Sequence, residues 1–580
     1  MRLSTGSFAE RLRNLPNRDV SIAVALLLAL IFTTNVFHFS QYRINKVFDQ
    51  TSEGMVVGRL ARSASDGVFS ERAELGTNYR EKDPVELRGS YSDQIKYFEQ
   101  PELIRADGAQ WAVYPSQFGL QGLFYALIDS IDPLPRRYRI GVYHFLSALI
   151  CAAAFMWVAY KIRERFGFAA ATGFVVPVAF EPMFTALAPN LYWTVGLWFV
   201  PMAIAMDIAG AESRRRKWRL IAATGAAVFA KSLCGYEFIT TVIVAAMIGC
   251  LLNTRDDNGY PFQNIVDMLW VALAGVAGFA LAIVAHGAKL GFAVILDRAI
   301  DRTSGGGSAV DQGLNIGQFA SISSVIRTYL GANDYTQIRN FGLLLGLLGV
   351  IAVAAFLDRE YGWFLGEDRR RLRALAFAFL ASLAAPLSWF ILAKAHAYAH
   401  QPLDFILWHV PTVPVGGAMA ALAVSQAFDA RKDWSVSSRR SFVTLVIPAI
   451  VVLIAAFVAI LDWRIEESGT WVAEAHARGT PVLADKDIGV DLRLGDKWFT
   501  IEYACDRASP TDVFFIRAAN GEADRTYEFH LWERAVSMPG DRNCYYAQLR
   551  EGGAVARLEF GLRKGNRIVW QREATVVPAR

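Results

Sequence analysis

Long apolar runs separated by short polar segments dominate the first 463 residues of the chain. Val20–Phe37 is the first near-continuous apolar run. About 20 apolar residues are needed to cross the ~30 Å hydrocarbon core of a bilayer, so the pattern predicts about eleven transmembrane helices. The later runs lie near 140–160, 168–187, 191–210, 220–234, 238–252, 266–286, 341–357, 374–393, 406–427 and 442–461.

The apolar pattern changes to a period of two after Trp463. Apolar and polar residues alternate over 499–505, 527–531 and 556–562, and Lys564-Gly565-Asn566 is typical of a hairpin turn. The sequence therefore predicts an α-helical polytopic membrane module over residues 1–463. An antiparallel, all-β domain of sandwich type follows it over residues 464–580.

The composition agrees with a membrane protein. The 580 residues are 54% hydrophobic and only 19% charged, which is too apolar for an ordinary soluble domain. The net charge of +5 is small, and the basic residues form short clusters beside the apolar runs. Such clusters are explained by membrane topology, so no nucleic-acid partner is predicted.

The basic clusters orient the predicted helices. Lys and Arg concentrate in the loops near 161–165, 214–219, 359–373 and 431–440, which the positive-inside rule assigns to the cytoplasm. The first apolar run ends without a small-x-small cleavage site, so it is predicted to stay as an uncleaved helix with its N-terminus inside. The loops 41–139, 188–192, 288–340 and 394–405 and the C-terminal β domain then lie outside. For a bacterial inner membrane, that side is the periplasm.

The polar insert 41–139 is the first of two long outer loops, and 288–340 is the second. Each charge at the bilayer centre would cost about 2.5–3.5 kcal/mol on insertion scales, so the insert must fold outside the lipid. The amphipathic stretch Thr51–Ala64 suits the membrane interface and ends at the turn Ser65-Asp66-Gly67. Asp66, Asp93 and Asp107 are candidate general bases here, although a single Asp at such a position is more often a turn or cap residue.

Ionisable groups inside predicted membrane segments are candidates for function. Lys231, Tyr236 and Glu237 form one group, in which Lys231 and Glu237 could simply pair with each other. Lys394, His396 and His400 form a second group. The two histidines share a helix face, so they could bind a divalent cation, donate hydrogen bonds to a phosphate, or anchor the helix at the interface. No metal site is assigned, because no acid or cysteine completes one at this spacing.

Amides and aromatic residues accompany these charges at the outer ends of the spans. Gln117 and Gln121 lie in the run Tyr114–Gly122, and Asn190, Tyr192 and Trp193 form the next outer turn. Cations at the membrane boundary suit the phosphate of a polyprenyl lipid, and aromatic rings suit a sugar face. Of the cysteines, Cys151, Cys234 and Cys250 are expected to be buried, and Cys505 and Cys544 could form a disulfide in an oxidising compartment.

The layout resembles that of the GT-C glycosyltransferases, which have one helix, a long first outer loop and about ten further spans. The runs YPSQFGLQG (114–122), NLYW (190–193), GYE (235–237) and HAYAH (396–400) look like those of uncharacterised bacterial members. The resemblance implies a polyprenyl-phosphate-sugar donor, a glycan or glycolipid acceptor, and a catalytic acid in the first loop. By position, Asp66 is the first choice of base, with Asp93 and Asp107 as reserves.

The sequence therefore predicts an inverting glycosyltransferase at the periplasmic face, with Lys394, His396 and Lys231 stabilising the leaving phosphate. Two alternatives remain. A lipid or oligosaccharide transporter would explain Lys231 and Glu237 but not the long insert. A non-catalytic envelope-assembly protein would use its β domain to bind a partner.

Overall fold

A computed structural model gives the structure of the chain, which divides into a helical unit and a smaller β unit. The structure describes residues 17–35, 49–81, 89–252, 264–293, 346–351, 354, 366–393, 397 and 401–430, and nine strands between 480 and 575. Lys394, His396, His400 and Cys505 lie outside the described residues, as does most of the second outer loop.

The first half of the helical unit contains one bundle helix followed by the folded insert. Its elements are α1 (Asn17–Thr34), α2 (Gln50–Asp66), β1 (Gly76–Tyr79), α3 (Tyr91–Glu99), α4 (Glu102–Ala106), β2 (Gln110–Val113) and α5 (Leu120–Ile131). β1 and β2 pair antiparallel, with Gly76 opposite Val113.

The rest of the unit is helical. Its elements are α6 (Arg136–Phe166), α7 (Phe168–Ala179), α8 (Pro182–Leu187), α9 (Gly196–Ala205), α10 (Arg214–Cys234), α11 (Ile239–Leu251), α12 (Ile265–Leu290), α13 (Gly366–Ser382), α14 (Ala384–Leu392), α15 (Gln401–Asp404) and α16 (Thr412–Ala430).

Three helical stretches in the described part of the chain are long and apolar enough to cross a membrane: Arg136–Phe166, Ile265–Leu290 and Arg369–Leu392. Six shorter apolar helices accompany them. The structure is thus mainly helical, as expected for a helical membrane protein. The count of eleven spans stays a prediction.

Two of the predicted spans before residue 211, in the described part of the chain, are interrupted. The apolar run 168–187 is divided into α7 and α8, because Pro182 has no N–H and the Glu181 carboxylate caps the new helix through the Met183 N–H. The run 191–210 becomes helical only at Gly196, since residues 188–195 form a loop. Apolar composition alone could not distinguish these breaks from continuous helices.

A buried arginine organises the folded insert. Arg59 is completely buried on α2. Its guanidinium donates to Ser63 Oγ (2.9 Å) and to the Ser70 carbonyl (2.6 Å), and it lies 5.8 Å from the centre of the Trp111 ring. Burial lowers its pKa to about 10. These bonds fold the 67–73 turn back onto α2 and fix the direction in which the insert continues.

Helices in the bundle approach closely where glycines face each other. A Cβ on Gly278 of α12 would overlap the carbonyl oxygen of Gly225 on α10, and a Cβ on Gly173 of α7 would overlap that of Gly417 on α16. The hydrophobic effect contributes little to helix association within lipid. Close van der Waals contact between small residues stabilises the association instead. Phe155, stacked on Phe174 at 4.9 Å, fills the space between the less closely packed helices.

The polar contacts of the long helix α6 lie at its two ends. At one end, Lys161 and Arg165 of α6 pair with Asp207, and Lys217 pairs with Asp267. The folded insert contacts the other end of α6, where His144 lies about 25 Å from Lys161 by helix rise. The predicted cytoplasmic loops and the predicted outer insert therefore lie at opposite ends of one long helix.

The β unit contains two antiparallel sheets. Its strands are β3 (Thr480–Asp485), β4 (Val490–Leu494), β5 (Trp498–Ala504), β6 (Asp512–Ala519), β7 (Asp524–His530), β8 (Val536–Ser537), β9 (Asn543–Leu549), β10 (Arg557–Lys564) and β11 (Arg567–Thr575). The sheet orders are β11-β10-β6-β7 and β3-β4-β5-β9-β8. Lys564 pairs with Arg567, which places the predicted hairpin turn between them. The sandwich arrangement stays a prediction.

We expect Gly278→Ala to lower the unfolding temperature of the purified protein in detergent. The new Cβ would force α10 and α12 apart, and such overpacking costs about 1–3 kcal/mol. Gly141→Ala is a matched control, because it also replaces a helical glycine but meets no atom within 4 Å. That control should be neutral or slightly stabilising, since alanine is the better helix former. Equal unfolding temperatures for the two variants would contradict this account of the packing.

Candidate functional site

The loop 188–195, between α8 and α9, is held in place by three neighbouring helices. Ser147 of α6 donates its hydroxyl to the Ala188 carbonyl (2.9 Å). The Gln121 amide of α5 donates to the Tyr192 carbonyl (3.3 Å). Within the loop, Asn190 Oδ1 accepts from the Tyr192 N–H at 2.9 Å. The loop is therefore buried but polar, and its Ala188 and Tyr192 carbonyls are satisfied by side chains of neighbouring helices.

The third anchor is Glu53, a completely buried carboxylate on α2. Its Oε1 accepts a hydrogen bond from the Tyr91 hydroxyl (3.0 Å) and lies 2.6 Å from His144 Nε2. Its Oε2 accepts from the Leu191 N–H at 3.2 Å. One side chain thus connects α2, α3 and α6 with the loop, and a buried carboxylate is stable only with partners of this kind.

Asp49 lies at the beginning of α2, one turn before Glu53. It is the N-cap of the helix, and its Oδ1 accepts from the Ser52 N–H at 3.3 Å. Its Oδ2 accepts from the indole N–H of Trp193 at 3.0 Å. The positive end of the helix dipole favours the ionised carboxylate. This acid therefore lies beside the loop at the point where the insert meets the bundle.

Trp193 is held between Asp49 and an aromatic cluster. Its ring stacks on Phe238, with the ring centres 5.7 Å apart and the planes inclined by 18°. Phe238 in turn meets Trp198 and Trp389 edge to face. Such packed aromatic rings restrict motion, so the indole keeps a fixed orientation toward Asp49.

Lys231 organises the turn that connects α10 with α11. The side chain is only 3% exposed, and its ammonium donates to the Gly235 carbonyl (2.6 Å) and to the Glu237 carbonyl. It therefore satisfies two buried carbonyl oxygens of the turn that follows α10. These bonds also hold the Glu237 backbone beside the ammonium, so an acid and a cation share one buried turn.

A second buried amide lies beside this turn. Gln117 is 2% exposed, and its Oε1 is 2.6 Å from the position that a Cβ on Gly235 would occupy. Glu237 Oε2 borders the same position. The Gly119 N–H donates to the Leu233 carbonyl at 3.1 Å, which fixes the segment after Gln117 against the end of α10.

These segments line a small cavity of about 10 Å³. This volume is far below the ~300–1,000 Å³ typical of sites for drug-sized ligands and gives room for about one water molecule. Its lining residues are Tyr192, Trp193, Thr194, Trp198, Lys231, Cys234, Gly235 and Glu237. The cavity therefore combines a cation, an acid and two indole rings, with Asp49 in contact with one wall.

Left-handed backbone occurs at and beside this cavity. Asp49, Thr194 and Phe238 have φ values of 52°, 45° and 60°, and the turn Glu71–Ala73 of the insert has positive φ values as well. This conformation costs a residue with a Cβ about 1–2 kcal/mol, and β-branched Thr194 is an especially rare occupant. Backbone strain of this kind persists where the surroundings force it, and it is enriched at functional sites.

The structure brings together most of the bundle residues that the sequence analysis selected. Lys231, Glu237, Tyr192 and Trp193 line the cavity, and Gln117 and Gln121 lie directly behind its wall. Asn190 orders the loop. Tyr236 has a separate contact, since its hydroxyl lies 2.8 Å from His286 Nδ1 on α12.

The three acids selected from the insert occupy other positions. Asp66 lies at the opposite end of α2 from Asp49, about 25 Å away by helix rise. It forms ion pairs with Arg62 (3.1 Å) and Arg105 (3.0 Å). Burial acts to raise the pKa of Asp66, but the hydrogen bonds from Arg105 and Ser65 outweigh this and hold the pKa below its usual range.

Asp93 and Asp107 have local roles in the structure of the insert. Asp93 exchanges hydrogen bonds with Ser90 at the start of α3, which is a helix-capping arrangement. Asp107 accepts from the Tyr97 hydroxyl at 3.4 Å, and burial together with the Asp107 charge raises the pKa of Tyr97 to about 12. Among the described residues, these contacts do not connect either acid with the cavity.

Sequence reasoning missed Asp49, Glu53 and His144. One signal for Glu53 was available, because its helical spacing places it on the same face as the buried Val56 and Val57, where an acid is unexpected. Asp49 could have been recognised as an N-cap immediately before an amphipathic run. His144 lies within a long apolar helix, and nothing in its local sequence points to a partner on α2.

We expect Glu53→Ala to destabilise the outer end of the helical unit. It would remove the acceptor that the Tyr91 hydroxyl, His144 and the Leu191 N–H share, and leaving a buried group such as the Leu191 N–H unsatisfied costs about 1–3 kcal/mol. The unfolding temperature should fall, and the loop 188–195 should become sensitive to protease. Glu99→Ala, which removes an exposed acid from the end of α3, is the control. If Glu53→Ala changes neither the unfolding temperature nor the protease sensitivity, the Glu53 carboxylate does not hold the loop.

Comparisons with known proteins find no match for this chain among protein families, curated proteins or solved structures.

Proposed function

We propose that the protein is a bacterial inner-membrane glycosyltransferase that uses a polyprenyl-phosphate sugar. It would transfer one sugar to a hydroxyl of a cell-envelope glycan or glycolipid at the periplasmic face. The observation that carries this proposal is the convergence of an acid, a buried cation and indole rings from separate segments around one cavity. The resemblance to GT-C enzymes favours the same class.

The position of the cavity suits a lipid-linked donor. It lies where the folded insert meets the ends of apolar helices, so a polyprenyl tail could stay in lipid while its headgroup lies against the polar turn. A cation and amides at this boundary match a phosphate and sugar hydroxyls. The predicted eleven-span topology places the same end of the bundle in the periplasm.

We assign the general base to Asp49 in preference to Asp66. Asp49 contacts the cavity wall through Trp193, whereas Asp66 forms ion pairs with two arginines at the other end of the helix. In the proposed step, the carboxylate accepts the proton of the acceptor hydroxyl. The hydroxyl oxygen forms a bond to the anomeric carbon as the bond from that carbon to the phosphate oxygen breaks, with inversion.

The leaving phosphate would be stabilised by Lys231, whose buried ammonium is held in place by two carbonyls. A fixed charge of this kind needs little reorganisation as negative charge develops on the leaving group. Lys394 and His396 keep the role that the sequence suggests, as additional phosphate ligands. The chemistry proposed for these residues needs no cofactor.

The test is a transfer assay with the purified full-length protein in detergent. Its substrates are undecaprenyl-phosphate glucose, galactose, mannose and arabinose, with extracted envelope glycan as acceptor. Asp49→Asn should lower kcat at least about 100-fold, as expected for loss of a general base. Asp66→Asn is the matched control and should keep kcat within about twofold, because exposed ion pairs contribute little.

Two results would overturn the proposal in different ways. If Asp66→Asn abolishes transfer and Asp49→Asn does not, the assignment of the base is wrong. If the wild-type protein transfers no sugar but moves the lipid across sealed vesicles, the transporter alternative replaces the enzyme.

A further inference from the structure

We propose that α5 (Leu120–Ile131) enters the outer leaflet of the membrane from its outer surface and contacts acyl chains with its exposed face. The sequence analysis places the whole insert 41–139 outside the lipid, so this inference returns the last helix of the insert to the membrane. It goes beyond the proposed function and does not depend on it, because it rests on the surface of α5 and on the contacts between α5 and α6.

The first observation is that the exposed face of α5 is apolar. Phe124, Leu127 and Ile131 are 42%, 46% and 82% exposed. Ser130 is the remaining exposed residue of the helix, and its hydroxyl donates to the Leu127 carbonyl at 2.7 Å. Asp129, the single charged residue of α5, is buried. Exposed apolar patches of this kind mark a surface that contacts another protein or a membrane.

The second observation is the direction of α5 relative to α6. Asp129, near the end of α5, pairs with Arg136 (3.3 Å) and Arg139 (2.8 Å) at the start of α6. Tyr125 lies one turn earlier on α5, and its ring centre is 5.8 Å from that of Tyr143, one turn later on α6. The helix α5 therefore runs antiparallel to the first turns of α6.

Helix rise places these contacts relative to the lipid. The helix α6 is long and apolar enough to cross a membrane, and Lys161 lies at its other polar end. A span of about 20 residues covers the ~30 Å hydrocarbon core, so the outer limit of the hydrocarbon lies near residue 141. Arg139 then lies at the level of the headgroups, and Tyr143 lies about 3 Å inside the hydrocarbon. The beginning of α5 lies deeper, because Gln121 precedes Tyr125 by one turn.

The length of α5 fits this partial insertion. Its 12 residues extend about 18 Å, so it is too short to cross the ~30 Å hydrocarbon core. Entering from the outer surface and reaching part of the way is what its exposed face and its antiparallel contacts with α6 require. In this position, Ile131 lies near the headgroups and Phe124 lies among the acyl chains.

The exposed surface of α6 at the same level favours lipid over a protein as the occupant. Tyr138, Val142 and Ile150 of α6 are 54%, 42% and 37% exposed, so apolar surface continues inward along this helix. The Arg137 guanidinium lies 4.7 Å from the centre of the Tyr138 ring. Arginine and tyrosine are typical of the headgroup level at the end of a membrane span. The apolar face of α5 therefore lies at the depth at which α6 itself must meet lipid.

This position of α5 also explains how the irregular loop 188–195 is covered. Gln121 on the buried face of α5 donates to the Tyr192 carbonyl, and Ser147 of α6 donates to the Ala188 carbonyl. By helix rise, Ser147 lies about 9 Å inside the hydrocarbon. Irregular backbone at that depth must be covered by protein, since lipid satisfies no hydrogen bond. The helix α5 provides the cover by turning Gln121 inward and its apolar residues outward.

The test measures the depth of spin labels on α5 in the full-length protein, reconstituted into phosphatidylcholine vesicles. Nitroxides are attached to Phe124→Cys and to Ile131→Cys in a Cys505→Ser/Cys544→Ser background, whose own labelling is subtracted. Accessibility to dissolved oxygen and to a water-soluble nickel chelate gives the depth of each label. We expect the label at 124 to lie about 5–10 Å deeper than the label at 131, because two helical turns separate them.

Two labels serve as references. A label at Leu273→Cys, on the exposed apolar face of the candidate span α12, reports acyl chains. A label at Glu99→Cys, at the exposed end of α3, reports water. The label at 124 should match the Leu273 reference in oxygen accessibility and should be as protected from nickel. Leu127→Cys is a second route if Phe124→Cys fails to fold, and its label should lie between the levels of 124 and 131.

Three results would overturn the inference. Equal depths at 124 and 131 would place α5 flat on the membrane surface. Strong access of nickel to the label at 124 would place the helix in water. Low access of both oxygen and nickel there would mean that protein, such as a second copy of the chain, covers the face. None of these measurements needs sugar transfer, so the lipid contact and the proposed transferase can fail independently.

Discussion

The outer end of the helical unit depends on a buried carboxylate with a complete set of partners. Glu53 is removed from water, and it is tolerable there because a hydroxyl, an imidazole and a backbone N–H surround its two oxygens. Those partners come from α3, α6 and the loop 188–195. The same interaction therefore joins the folded insert to the bundle and fixes the loop that carries Trp193.

Residues around the cavity have unfavourable backbone conformations that specific contacts hold in place. Left-handed backbone at Asp49, Thr194 and Phe238 is unfavourable in isolation, yet each position is held by capping, hydrogen bonding or aromatic stacking. The result is a set of polar groups whose positions are determined before any ligand binds. Preorganisation of this kind fits the proposed stabilisation of a departing phosphate, because little reorganisation would then be left for the reaction itself.

The membrane setting explains why the site forms at one end of the bundle. Apolar helices can pack through facing glycines, as at Gly225 and Gly278, but lipid cannot satisfy broken backbone. Irregular segments such as 188–195 and 235–238 are buried against the insert and neighbouring helices instead. The polar insert thus covers the irregular backbone of the interrupted helices, and the cavity lies where the insert and these helices meet.

The sequence by itself determined that the chain is mainly helical with apolar helices long enough to cross a membrane, and it located the polar insert and the alternating strands after residue 463. It also indicated Lys231, Glu237, Gln117 and Trp193, because ionisable groups, amides and indoles at the ends of apolar runs can be recognised from the sequence alone. Only the tertiary structure decided which acid lies beside them. Asp66 follows an obvious turn, but a helix of 17 residues separates it from Asp49, and only folding reveals which end meets the bundle. Glu53, His144 and Leu191 likewise lie far apart along the chain, and a contact between distant segments depends on packing that no local pattern encodes.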